Sequence, residues 1–246
     1  MPTKSGSNIA LEVCVDSVES AVAAERGGAD RIELCSVPSV GGITPGEGLI
    51  AETRAAVRLA VYVLIRPRPG DYSFSSSEMK IMEWDILRAK ELGADGVAVG
   101  VLRNDHSVDV ARTRALAEAA QPMSVTFHRA FDEARHPFRA LELIAGAGIQ
   151  RILTSGQRAS AVEGRELIRD LVDHADRRIS IVAGSGINAA NVRRLVAGTG
   201  VREVHVGSGV SVHVPRGKRP SLFAAERFMV SAERVHKLVE VLQRLA

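Results

Sequence analysis

Short apolar runs alternate with longer segments of helical periodicity along most of the chain. The runs have the length of β-strands, and the gaps between them exceed the roughly dozen residues that a parallel crossover needs. Eight strands are predicted, beginning near Ile9, Arg31, Val61, Asp95, Met123, Arg151, Ile179 and Glu203. Eight β/α units favour a closed (β/α)8 barrel, the TIM barrel, over an open doubly wound sheet. The pattern alone leaves the open sheet as an alternative, although no Gly-x-Gly-x-x-Gly follows the first strand, as a dinucleotide-binding sheet would have.

The carboxyl-terminal part of the chain departs from this alternation. Residues 211–230 contain Pro215, Pro220 and a basic cluster, which predicts a long irregular loop after the last strand. An additional C-terminal helix is predicted over residues 231–245, because apolar residues recur there at helical spacing. We expect residues 1–246 to form a single barrel domain, since barrels of this length usually do.

Composition and charge argue against several classes of partner. Hydrophobic residues make up 46% of the chain and aromatic residues 4%, so aliphatic side chains must fill the core. The net charge of +3 is small and dispersed, which indicates neither nucleic-acid binding nor a membrane surface. No apolar run approaches the roughly 18 residues of a membrane-spanning helix. Two cysteines do not form a disulfide scaffold, and they fit a reducing, cytoplasmic setting.

A carboxylate and a cysteine recur at the ends of the first two strands. Glu12 and Cys14 end strand one, and Glu33 and Cys35 end strand two. Side chains alternate along a strand, so each pair shares one face. A carboxylate that faced outward under a helix would be buried without a partner, so both pairs are expected to point into the barrel. Strand eight carries a histidine, His205.

Further polar residues follow strands three and five. Arg66 and Arg68 end strand three, where they could neutralise the glutamates or bind an anionic substrate. His128 and Arg129 end strand five, and Asp132 lies just beyond. Active sites of such barrels lie at the carboxyl ends of the strands, so these residues are expected to surround one pocket.

Strands six, seven and eight contribute small residues to the same end. Thr154 and Ser155 end strand six, and they are candidates for substrate or anion binding. Glycine turns follow strand seven, with Gly184 and Gly186, and strand eight, with Gly207. Backbone amides of these two loops often bind phosphate in barrels, so an anion site is predicted there.

Each of these residues also has a purely structural interpretation. Cys14 and Cys35 could be small buried hydrophobic residues, which is the commoner fate of a free cysteine. Glu12 with Arg66 could be a buried structural ion pair, and His128 could be a core histidine with its hydrogen bonds satisfied. The convergence of the whole set on one end of one barrel favours a functional pocket.

Five stretches of the chain resemble the signature blocks of the CutC family, which is named for copper homeostasis. They are 11–17 (LEVCVDS), 27–35 (GGADRIELC), 65–68 (IRPR), 126–132 (TFHRAFD) and 153–156 (LTSG). The resemblance runs from about Ala10 to His205. The chain departs from the family pattern at Pro69 and Tyr72, where members usually have Gly and Phe, and beyond His205.

The resemblance implies a TIM barrel that is usually oligomeric and lies in the cytoplasm. It also implies a role in copper homeostasis, with Cu(I) bound at the cysteines Cys14 and Cys35. Cu(I) is a soft ion that prefers thiolates, and these cysteines end strands expected to be neighbours about 4.8 Å apart.

An enzymatic function stays open as the alternative. In that hypothesis the arginines bind a small anionic substrate, and the glycine turns hold the phosphate of a phosphorylated one. Protons would be moved by Glu12, Glu33 or His128, with Asp132 as a fourth catalytic candidate. The charged residues favour this hypothesis, because copper binding by two thiols needs neither the arginines nor Asp132.

Overall fold

Eight parallel strands close into a barrel in the order of the chain, with β8 paired to β1. The structure is a computed structural model that describes residues 9–214 and 227–245. The strands are β1 Ala10–Val15, β2 Arg31–Leu34, β3 Ala60–Leu64, β4 Gly96–Val99, β5 Ser124–Phe127, β6 Arg151–Thr154, β7 Ser180–Gly184 and β8 Glu203–Val206. The predicted TIM barrel is confirmed, and each predicted strand begins within one residue of the observed start.

Helices lie between the strands and cover the outside of the barrel. They are α1 Val18–Gly27, α2 Glu47–Ala56, α3 Ser76–Glu91, α4 Val110–Ala120, α5 Pro137–Gly146, α6 Arg165–Ala175, α7 Val192–Thr199 and α8 Ala232–Gln243. The α8 helix is the predicted C-terminal helix, and it packs against α7 and α1, where the eighth helix of a barrel belongs. The contact with α1 is close, because a Cβ atom at Gly27 would lie 2.5 Å from the Val235 side chain. Within the described residues, no helix is long and apolar enough to span a membrane.

The segment between β8 and α8 differs from its prediction. The irregular loop predicted over 211–230 is wrong at both ends, because Ser211–Val214 forms β9 and Arg227–Val230 forms β10, paired antiparallel. Both strands are rich in the β-branched and aromatic residues that favour strands, which the prolines between them obscured. Residues 215–226, which include those prolines, lie outside the described residues.

Alternation along the strands separates an apolar outer face from a polar interior. Leu11 and Val13 of β1 face the helices and are at most 1% exposed. Inside the barrel, near the amino ends of the strands, the ring of Tyr62 lies between two guanidinium groups. Those of Arg31 and Arg151 are 5.0 and 4.7 Å from its centroid. This cation–π stack packs three large side chains together inside the barrel.

Gly96 at the start of β4 provides the space for this stack. A Cβ atom there would lie 2.6 Å from the Tyr62 ring, which the flanking arginines hold in place. We predict that Gly96→Ala lowers the free energy of unfolding by about 1–3 kcal/mol, the usual effect of overpacking. The control is Gly48→Ala in α2, where nothing lies within 4 Å of the added methyl group. Denaturant unfolding that shows equal stability for the two variants would contradict this packing.

Candidate metal centre at the barrel mouth

Strand register brings the chemistry of β1, β2 and β8 to one place. The β1 strand lies between the other two, so that Glu12 is level with His205 of β8 and Cys14 is level with Glu33 of β2. These side chains and that of Cys35 face inward near the carboxyl ends of the strands, the end called here the barrel mouth. Glu12, Glu33 and Cys35 are only 2%, 7% and 1% exposed.

The two cysteines form a free thiol pair at this point. Their Sγ atoms are 3.6 Å apart, and neither cysteine is in a disulfide. Ligand atoms of Cys14, Glu33 and His205 all lie within 4.8 Å of one another. A Cβ atom at Gly207 would lie 3.6 Å from that of Cys14, so the predicted glycine turn after β8 borders the thiols. The residues therefore present sulfur, carboxylate and imidazole ligands in one small volume.

A network of buried charged side chains lies next to the thiol pair inside the barrel. Glu12 forms an ion pair with Arg31, and Arg31 also donates to Glu203 over 2.6 Å. The other carboxylate oxygen of Glu12 is 2.7 Å from Nδ1 of His205, whose Nε2 atom is 3.8 Å from Glu33. We call these five residues the charge network. The charges of the network alternate in sign along its contacts, which run from Glu203 through Arg31, Glu12 and His205 to Glu33.

The charge network shifts the acid–base properties of its members in different directions. Burial would raise the pKa of Glu12, but Arg31 and His205 lower that pKa to about 2. Burial would lower the pKa of His205, but Glu33, Cys14 and Glu12 raise that pKa well above its usual value. At neutral pH the network therefore holds an ionised Glu12 against an imidazolium.

Glu33 of the charge network and Cys14 of the thiol pair are the two residues that a ligand would meet. Burial, opposed by His205 and reinforced by Glu12, raises the pKa of Glu33 to about 7. A hydrogen bond with Cys35, together with burial, raises the pKa of Cys14 well above its usual value. In the absence of a metal ion Cys14 is a thiol at neutral pH, and Glu33 is partly protonated.

Sequence reasoning gave three members of the charge network no role in the site. The sequence pattern places His205 on strand eight without a role, and it indicates Arg31 and Glu203 only as the first residues of strands. Closure of the barrel supplies the missing signal, because it places β8 beside β1 and so brings His205 to Glu12. The structural interpretation that paired Glu12 with Arg66 is wrong. Arg31 lies opposite Glu12 on the neighbouring strand, and it forms the ion pair with Glu12.

Arg66 and His128 form a second group at the barrel mouth, around Tyr72. Both side chains are buried, with 4% of each residue exposed. The Tyr72 ring lies 4.9 Å from the Arg66 guanidinium and 5.2 Å from the His128 ring. Burial and the charge of Arg66 lower the pKa of His128 to about 3, so its ring is neutral at neutral pH. We call these three residues the Arg66 cluster.

Asp132 organises the turn after β6 instead of standing free in the pocket. It accepts hydrogen bonds from the hydroxyl of Thr154 and from the backbone and hydroxyl of Ser155, the latter two over 3.0 and 2.9 Å. Arg129 forms an ion pair with it over 2.8 Å and also donates to Ser155. These four residues hold one another, which satisfies most of their hydrogen-bonding capacity.

The other predicted anion-binding residues are dispersed. Arg68 turns away from the barrel axis and pairs with Glu78 and Asp71, at the start of α3 and in the preceding loop. Gly184 lies against Leu153, and the carbonyl of Gly186 accepts from Asn191 over 2.8 Å. The alternation of side chains along a strand does not determine the direction of Arg68, because this residue lies beyond the end of β3, in the loop.

Comparisons with known proteins identify the family of this chain. Residues 9–210 match the sequence model of the CutC family. The chain belongs to the CutC family. A CutC family protein from Xanthomonas campestris strain B100 is 45% identical over 237 residues, covering 95% of this chain and 98% of the relative. A human relative, described as a copper homeostasis protein cutC homolog, is 48% identical over 195 residues, covering 79% and 71% of the two chains.

A solved structure supports the fold of this family member. The crystal structure described as that of a copper homeostasis protein CutC from Streptococcus agalactiae superposes with a TM-score of 0.78. It is 32% identical in sequence, and the match covers 81% of this chain and 98% of that one. The barrel that carries the thiol pair is thus an architecture that this CutC structure shares.

The neutral, buried state of His128 predicts a specific dependence of stability on pH. Below pH 6.5 the unfolded chain takes up a proton on this ring, whereas the folded chain, with a pKa of about 3, does not. Stability that is present above pH 6.5 is therefore lost as the pH falls, by up to about 1.4 kcal/mol per pH unit. We expect the stability advantage of the wild type over His128→Gln to shrink by about 2 kcal/mol between pH 7 and pH 5. Parallel pH profiles in denaturant unfolding would contradict a buried neutral ring.

Proposed function

We propose that this CutC family member binds Cu(I) in copper homeostasis, with Cys14 and Cys35 as the ligands. The observation that carries the proposal is the distance of 3.6 Å between two free thiols, because one ion can then contact both sulfurs. Cu(I) is soft and prefers thiolate ligands. The human and Streptococcus agalactiae relatives are described as copper homeostasis proteins, which supports the same assignment.

The surrounding charges favour a soft monovalent ion over a harder divalent one. Zn²⁺ would use Cys14, His205 and Glu33, a ligand set of the kind found in zinc sites. That set requires a neutral imidazole and an ionised carboxylate. Here Glu33 and Glu12 raise the pKa of His205 despite its burial, and burial raises the pKa of Glu33 to about 7. Binding of Cu(I) also requires loss of the thiol proton of Cys14, whose pKa is raised, but it leaves the pairing of His205 with the glutamates in place.

A catalytic function is a second candidate, and Glu33 is the residue that supports it. A carboxyl group with a pKa of about 7 is suited to proton transfer at neutral pH. The other predicted catalytic groups are less suited. Glu12 is held ionised by Arg31, and Asp132 is engaged by the turn after β6. The substrate would be a small anionic molecule bound near the barrel mouth.

Location and assembly are part of the proposal. A reducing cytoplasm would keep the thiol pair free, as Cu(I) binding requires. Assembly into a homo-oligomer is supported by apolar side chains on the outer face of α3, where Ile81, Trp84 and Leu87 are exposed. Trp84 alone is 66% exposed, and contiguous apolar surface of this kind is typical of protein interfaces.

The proposal predicts a selective loss of Cu(I) affinity. Cys14→Ser and Cys35→Ser each remove one soft ligand and should weaken Cu(I) binding at least about a hundredfold. The measurement is competition with a Cu(I) chelator under anaerobic, reducing conditions, after circular dichroism has shown each variant to be folded. The control is Arg68→Gln, which changes a residue at the same end of the barrel that is paired with Glu78 and Asp71. Wild-type affinity in the double cysteine variant would refute the proposed copper ligands.

A further inference from the structure

We propose that Arg66 and His128 form a binding site for a small oxyanion, a carboxylate or phosphoryl group, separate from the thiol pair. Each side chain has a buried N–H donor without an acceptor from the described part of the chain, and both side chains lie beside the ring of Tyr72. The site does not depend on copper binding, because none of its residues belongs to the thiol pair or to the charge network.

The hydrogen bonds of His128 fix which ring nitrogen carries the proton. Nδ1 accepts from the backbone N–H of Ala130 over 3.1 Å, so in the neutral ring the hydrogen is on Nε2. That Nε2 atom is buried and has no hydrogen-bond partner among residues 9–214 and 227–245. A buried donor without an acceptor is destabilising, so such a group is rarely retained without a partner.

Arg66 adds a positive charge that the surrounding protein does not neutralise. Its terminal nitrogens donate to three backbone carbonyls, those of Val40, Gly42 and Gly70, over 2.7–3.0 Å. These contacts hold the guanidinium in place, but no carboxylate within the described residues pairs with it, and its Nε donor has no partner there. The contrast is Arg31, equally buried inside the barrel, which has two carboxylate partners.

Tyr72 is the neighbour that the two donor groups share. Its ring contacts both the guanidinium of Arg66 and the ring of His128. Gly100 makes room for the histidine, because a Cβ atom there would lie 2.5 Å from the His128 ring. The charge of Arg66 also acts on the pKa of His128, which fits their closeness.

These features define the chemistry of the ligand. Donors and a positive charge, without a nearby acceptor, select an anion with exposed oxygens. A guanidinium and a neutral imidazole together supply one positive charge, which matches a carboxylate or a singly charged phosphate ester. The Tyr72 ring provides an apolar wall for the carbon skeleton of such a ligand.

The test is titration of the metal-free chain, kept so by a chelator, with acetate and with inorganic phosphate as separate probes. Nuclear magnetic resonance of ¹⁵N-labelled histidine reports on His128 directly. We expect a saturable shift of the Nε2–H signal with at least one probe, and the probe that binds identifies the class of oxyanion. His128→Leu should weaken that binding about tenfold or more, measured by calorimetry, because it removes one of the two donors.

Two further variants make the test specific. Arg66→Gln should abolish binding, and Arg68→Gln should leave it unchanged, because Arg68 is engaged by Glu78 and Asp71. If Arg66→Gln fails to fold, since Arg66 donates to three backbone carbonyls, His128→Leu decides. The proposal is overturned if neither probe gives a saturable response, or if the His128→Leu variant binds as tightly as the wild type.

Discussion

The ion pair between Glu12 and Arg31 is the interaction on which the candidate metal centre depends. A buried carboxylate is tolerated only when it is paired, and Arg31 satisfies both Glu12 and Glu203 inside the barrel. Glu12 is then free to accept from Nδ1 of His205, which turns Nε2 of that ring toward Glu33. Removal of Arg31 would leave Glu12 and Glu203 inside the barrel without their guanidinium partner.

This arrangement separates two kinds of chemistry at one barrel mouth. On the side of β1, β2 and β8, charges are compensated, and the thiol pair is the group left to bind a ligand. On the side of β3 and β5, the charge of Arg66 has no carboxylate partner among the described residues, and its neighbour His128 is neutral. The first side fits a soft metal ion and the second fits an oxyanion. One closed barrel holds both because different strands supply the inward side chains of the two sides.

Strand periodicity and strand-end chemistry were sufficient to predict the barrel and half of the metal centre. The alternation of side chains alone predicts that Glu12 shares a face with Cys14 and Glu33 with Cys35, because it depends only on the sequence within one strand. The partner of Glu12 could not be predicted, since the choice between Arg31 and Arg66 depends on strand register. His205 needed barrel closure, and Arg68 lay in a loop where alternation does not determine direction. The β9–β10 hairpin was missed because two prolines dominated its sequence pattern.

X-ray absorption at the copper edge of the Cu(I)-loaded wild-type chain shows whether the thiol pair binds the copper ion. Two sulfur scatterers per copper ion are expected, because the thiol pair presents both sulfurs to one position. A spectrum with only nitrogen and oxygen neighbours would contradict the account, since it would place copper away from Cys14 and Cys35.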